Sequence, residues 1–144
     1  EEDSRVKTLI TLASVSDFKI RFNENSEAFK IWKKTGVKFV ENGRTKQQMP
    51  HYFQFYKNFI ENKDRLTIKR AVSNLKTPHL IIHGSDDTSV SVEEAKSLHK
   101  WNSKSKLEII EGANHVFGTC HPWKNDSLSN NLQKVINVIL AFLK

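Results

Sequence analysis

The stretch from Pro78 to Gly112 leaves few folds open. Two short apolar runs, HLIIH and KLEII, lead into Gly84 and toward Gly112, and they bracket SVEEAKSLHKW. Ser91 and Glu94 have the S-x-x-E spacing of a capping box, and Ala95 and Leu98 follow at helical spacing. Strand, helix, strand in so short a length predicts a βαβ unit with two parallel strands. Runs that are apolar on both faces suit strands covered by helices on either side. VKTLITLAS, Val6 to Ser14, has the same character and predicts a third buried strand. The C-terminal SNNLQKVINVILAFLK sets Leu132, Val135, Ile136, Ile139, Leu140 and Leu143 along one helical face, which should pack on the sheet.

Between the first and second strands lie some sixty residues of different character, far more than an ordinary crossover needs. SEAFKIWKKTG reads as a short helix stopped by Gly36. VKFVENGRTKQQM carries Asn42-Gly43, a hairpin signal, between two extended runs. PHYFQFYKNFI places Pro50 at a helix start and aligns Tyr52, Phe55, Tyr56 and Phe59. TIKRAVSNL predicts a further amphipathic helix through Ile68, Ala71, Val72 and Leu75. The fold expected is therefore α/β: a partial parallel sheet of three strands with flanking helices and an inserted, mostly helical cap. The core takes 1–16 and 77–144, and the cap takes 17–76.

A chain of 144 residues, 38% hydrophobic and 27% charged, is long enough for a real core. No apolar run approaches the roughly 18 residues of a membrane-spanning helix, so no membrane partner is expected. The start, EEDSRVKTLI, has neither an initiating Met nor the basic and apolar regions of a signal peptide, and it reads as an internal position of a longer protein. Cys120 is the only cysteine, which points to a reducing, cytoplasmic setting. The net charge of +7 comes from lysines scattered along the chain, without a compact basic block, so nucleic acid is not an expected partner.

The chemistry gathers at the ends of the last two strands. Asp86 and Asp87 follow one strand, and His115 follows the next. Parallel neighbours end on the same sheet edge, where open α/β sheets bind their ligands. A carboxylate there can orient an imidazole and stabilise its protonated form, which is the arrangement a general base needs.

With HGSDDTSV, the EEAKSLH helix and IIEGANHVF in that order, the chain resembles the C-terminal half of an α/β-hydrolase. Gly84, Asp87 and Val90 match the G-x-x-D-x-x-V acid loop, and ANHVF matches the histidine loop. FGTCHPW resembles a dienelactone-hydrolase-like or acyl-peptidase-like bacterial subgroup, and VKTLITLASVSDF is similar to its sixth core strand, after which a cap is often inserted. The resemblance implies that Asp87 is the triad acid, that His115 is the general base, and that no cofactor takes part. Asp86 does not fit the spacing and reads as a solvated turn residue. The family's G-x-S-x-G nucleophile elbow is present at none of the five glycines. The chain is thus expected to be the C-terminal portion of a serine-type hydrolase of carboxylic esters or peptides, inactive alone and partnered by the N-terminal half of the same fold. The alternative is a non-catalytic binding module. In either case an unpaired edge on the 6–14 strand should recruit another strand, so a homo-oligomer is also expected.

Other chemistry-bearing residues read more plainly. Cys120 reads as a half-buried structural thiol, and Ser14 and Ser16 as strand-end hydrogen-bonders. His79, His83 and His121 lack recognisable zinc spacing, so no metal is expected. The aromatic stripe reads first as packing; its functional reading is a wall over an acyl or aromatic substrate, formed by Tyr52, Phe55 and Tyr56. Arg44 and Gln47, past the hairpin tip, read as solvent-exposed.

Overall fold

In the computed structural model, which describes residues 1–43 and 45–144, the elements run β1 (Leu9–Leu12), a 3-10 turn (Lys19–Arg21), α1 (Glu27–Thr35), β2 (Val37–Glu41), β3 (Gln48–Tyr52), α2 (Gln54–Glu61), α3 (Ile68–Asn74), β4 (His79–Gly84), α4 (Val92–Trp101), β5 (Lys106–Ile110) and α5 (Asn130–Phe142). The chain divides into two units, Glu1–Ser16 with Ile68–Lys144, and Asp17–Thr67. Arg44 lies outside the described residues. Among those described, no helix is long and apolar enough to cross a membrane.

The first unit is built around β4, whose six residues are all buried. The sheet order is β1-β4-β5 and both pairings are parallel. Alternation along β4 explains why both faces are apolar. Leu80 and Ile82 join Ile110, Ala113, Phe117 and Val135 of the α5 side, while Ile81 joins Val72, Ala95 and Leu98 of α3 and α4. Each of the Leu, Ile, Val and Phe side chains among them contributes about 1.5–3 kcal/mol by leaving water. The register sets Gly84 beside Ile110, so β4 and β5 end together and release their following loops on one edge.

Four expectations change here. The unit containing the sheet resumes at Ile68 rather than 77, because Val72 of α3 packs in the same cluster as Ile81. β1 is shorter than 6–14 and only half-buried, with Leu12 44% exposed, because among the described residues a strand flanks it on one side alone, β4. On α5, Leu132, Val135 and Ile139 pack inward with Val138 and Phe142, but Leu140 falls outside that stripe and Leu143 is the C-cap; both are exposed. Ser91 caps α4 by accepting from the Glu93 amide, and the Glu94 carboxylate accepts from both the amide and the hydroxyl of Ser16.

The second unit pairs a hairpin with two helices. Ser26 caps α1 by accepting from the Phe29 amide, and Gly36 ends it in the left-handed conformation, φ 77°, that glycine adopts without strain. β2 and β3 pair antiparallel from Val37↔Tyr52 to Glu41↔Gln48. In the connecting loop the Asn42 side-chain oxygen accepts from the Thr45 amide, and the Asn42 backbone N–H donates to the Gln47 carbonyl. Pro50, expected at a helix start, lies inside β3 opposite Phe39, and α2 begins only at Gln54. A two-stranded ribbon has only edge strands, where a missing N–H is tolerated. The unit's core is aromatic: Trp32, 2% exposed, stands among Phe22, Phe29 and Phe53, and its indole N–H donates to the His51 carbonyl at 2.7 Å.

Candidate active site

Gly84 is where the two site loops meet. A side chain there would place its Cβ 2.1 Å from the Ala113 carbonyl oxygen, so only glycine lets the chain after β4 run against the chain after β5. Three hydrogen bonds then join these stretches: the Ser85 amide to Ile110, the Asp86 amide to Ala113, and the Gly112 amide to the Ser85 hydroxyl. Asp86 is exposed, and its carboxylate accepts from the Ser85 hydroxyl. Asp87 turns the other way and its side chain is wholly buried.

The Asp87 carboxylate is well supplied with donors. Oδ1 accepts from the Ser89 and Val90 amides at 2.8 and 2.9 Å, an Asx-type turn that closes the loop locally. Oδ2 lies 2.8 Å from His115 Nδ1. Burial by itself disfavours the charge, but the Val90 amide, the His115 ring and the Ser89 amide outweigh it, and the carboxyl sits below its ordinary range. Because a carboxylate can only accept, His115 carries its hydrogen on Nδ1. The lone pair of Nε2 is left to take a proton, on a side chain that is 42% exposed.

The histidine loop is held from below. The Asn114 side chain accepts from the Val116 and Gly118 amides, and Phe117, at φ 53°, drops its ring into the α5-side core. The N-cap of α5, Ser129, donates its hydroxyl to the Phe117 carbonyl at 2.5 Å. Thus His115 is displayed outward between a polar turn and a buried anchor. Asn114, Phe117 and Ser129 have no place in the sequence reading; an Asx turn at the ANHVFG stretch and a cap at SNNL are the signals that could have found them.

The remaining candidates separate cleanly. Among the described residues no Ser, Thr or Cys side chain shares a hydrogen bond with His115. Ser16 is engaged with Glu94, whereas the Ser14 hydroxyl is buried and partnerless rather than a strand-end hydrogen-bonder. Cys120 is exposed, not half-buried, because its loop lies outside the core clusters, and its thiol faces the Pro122 carbonyl at 3.7 Å. His79 meets Thr11 at 3.0 Å, and burial pushes its pKa down. No three His, Cys, Asp or Glu side chains among the described residues gather as a metal site.

In the second unit, Tyr52 and Phe55 are exposed and line an open groove of about 480 Å³ with Pro50, His51, Gln54 and Asn58. Tyr56 belongs to the aromatic core, against Phe22, Phe29 and Phe53, and burial followed by its bond to Glu24 pushes its phenol up. Gln47 is exposed beside the hairpin turn.

No protein-family model matches the sequence, and a search of curated proteins finds no match. Solved structures do match. The esterase domain of a Rhodothermus marinus protein aligns over 98% of this chain and 52% of its own, with a TM-score of 0.61 and 15% identity. A monoacylglycerol lipase from Paleococcus ferrophilus aligns over 96% of this chain and 59% of its own, at 0.58 and 11%. Est1E from Butyrivibrio proteoclasticus aligns over 96% and 50%, at 0.56 and 18%. The fold is that of an α/β-hydrolase. The chain spans about half the length of these structures.

Proposed function

We propose that this chain is the C-terminal, acid–base portion of a serine-type α/β-hydrolase. In it Asp87 orients His115, His115 takes the proton of a serine hydroxyl on Nε2 as that oxygen attacks a carbonyl, and the imidazolium returns the proton to the leaving group. Water then resolves the acyl-enzyme by the same base. The observation that carries this reading is the 2.8 Å contact between a wholly buried carboxylate and an exposed imidazole, at the ends of adjacent parallel strands. The substrate is a carboxylic ester, with a peptide as the alternative; an esterase domain and a monoacylglycerol lipase among the similar structures favour the ester. The FGTCHPW stretch favours a dienelactone-hydrolase-like or acyl-peptidase-like subgroup, and Asp17–Thr67 is the cap, with Tyr52 and Phe55 as its apolar contacts to substrate.

The serine comes from a segment that pairs with β1 on the edge opposite β4, which is the one strand beside β1 among the described residues. The protein works without a cofactor in a cytoplasmic setting. Labelling with a fluorophosphonate probe, read by intact mass, tests the proposal on this chain and on the product of the full gene. Labelling of the longer product alone is expected. Labelling of neither, or a full gene without a G-x-S-x-G elbow, overturns it.

A second reading rests on that same edge: a non-catalytic module that binds through β1, pairing with another copy. An edge strand with unmet backbone groups recruits a neighbour. Sizing at rising concentration should then show a dimer, and a sharp monomer peak throughout counts against it.

A further inference from the structure

We propose that His83 is the positioning residue of the Asp87–His115 pair: its Nε2–H holds the acid loop closed and keeps Asp87 Oδ2 turned toward His115. This rests on reading Asp87 and His115 as acid and base. His83 ends the buried run HLIIH and is itself 0% exposed. Its Nε2 lies 2.9 Å from the Val90 carbonyl and 3.2 Å from Asp87 Oδ2. A carbonyl and a carboxylate can only accept, so Nε2 carries the hydrogen.

Nδ1, also buried, has no partner. As a bare acceptor it is the less costly group to strand, since orphaned buried N–H groups are rarer than under-satisfied acceptors. An aliphatic side chain at the same place would fill the space without any stranded nitrogen. The imidazole is accounted for by what Nε2 holds.

What it holds is the far end of the loop. Val90 is gripped on both sides of its backbone: its amide donates to Asp87 Oδ1 and its carbonyl accepts from His83. The Ser89 amide secures Oδ1 as well, so that oxygen is satisfied within the loop. The His83 N–H dipole stands beside Oδ2 and leaves it open toward His115 at 2.8 Å. Without His83 the Val90 carbonyl is buried unpaired, the loop end that carries the Val90 amide is released, and the Asp87 carboxylate loses one of the two amides that fix Oδ1 together with the N–H beside Oδ2.

The test is nitrogen and proton NMR on this chain, for which no nucleophile is needed. In the unsubstituted protein His83 should be the Nε2–H tautomer, and the His115 Nδ1 proton should resonate far downfield. His83→Leu should lose that downfield His115 signal, while His83→Gln, whose amide nitrogen reaches the same place, should keep it. The Nδ1–H tautomer of His83, or an unchanged His115 signal in folded His83→Leu, overturns the proposal. If His83→Leu does not fold, the tautomer decides. Absence of probe labelling would instead sink the hydrolase reading and leave this result standing.

Discussion

The two units are held together by different means. In the first, a parallel sheet packs aliphatic side chains on both faces and brings two backbone loops close enough that a glycine is required between them. In the second, the cohesion comes from interlocking rings around Trp32, on a hairpin and two short helices. The first arrangement defines distances; the second supplies bulk apolar surface. A reactive pair depends on distances, and its candidates stand on the sheet. Exposed rings, those of Tyr52 and Phe55, stand instead on the aromatic unit.

Substitutions should separate these two contributions. The largest effect expected is on chemistry: under the proposed function, Asp87→Asn in the full-gene product should lower kcat by about 10⁴-fold, as loss of the orienting acid does in Ser-His-Asp enzymes. Far-UV circular dichroism should change little. Trp32→Ala should cost about 3–5 kcal/mol in urea unfolding, because it empties the centre of the ring cluster. Gly84→Ala should cost about 1–3 kcal/mol, since the added methyl meets backbone rather than a movable side chain. It should also shift the His115 resonances, which Trp32→Ala should leave in place.

Smaller still is the acid response. The Asp87 carboxyl is depressed in the folded chain, so its contribution to stability is full above the unfolded value of about 4 and is lost as pH falls through the lower folded value. Thermal melts below about pH 4 should therefore fall more steeply for the native protein than for Asp87→Asn. Phe55→Ala should cost about 1 kcal/mol, since its ring is 47% exposed but still meets Phe18 and Phe22 edge-on or tilted. If the groove receives substrate, that variant should raise KM with kcat nearly constant.

What could be seen in the sequence divides along the same line. The β4-α4-β5 unit is legible because length, glycine stops and periodicity agree, and the Asn42-Gly43 signal marks the hairpin. Pro50 is not legible: proline suits both the first turn of a helix and an edge strand, and only the pairing with Phe39 decides. Leu140 and Leu143 belong to a plausible apolar face, but which stripe turns inward depends on the sheet beneath. At the site, the juxtaposition of Asp87 and His115 follows from parallel strands ending together, and the resemblance to the G-x-x-D-x-x-V acid loop singles out Asp87 rather than Asp86. The contact of His83 with Val90 is not legible, because it depends on how the loop returns over the strand. The role of Phe117 as anchor likewise appears only when α5 is in place.

The close approach at Gly84 has a mechanical consequence. Because the stretches after β4 and β5 are bolted to each other through main-chain atoms, Asp86 to Ala113 and Ser85 to Ile110, thermal displacement of one loop drags the other along. Their motions add in common rather than in opposition. The gap between carboxylate and imidazole is then insulated from fluctuations elsewhere in the sheet, and its tolerance is that of a few short main-chain links rather than of two long, independent loops.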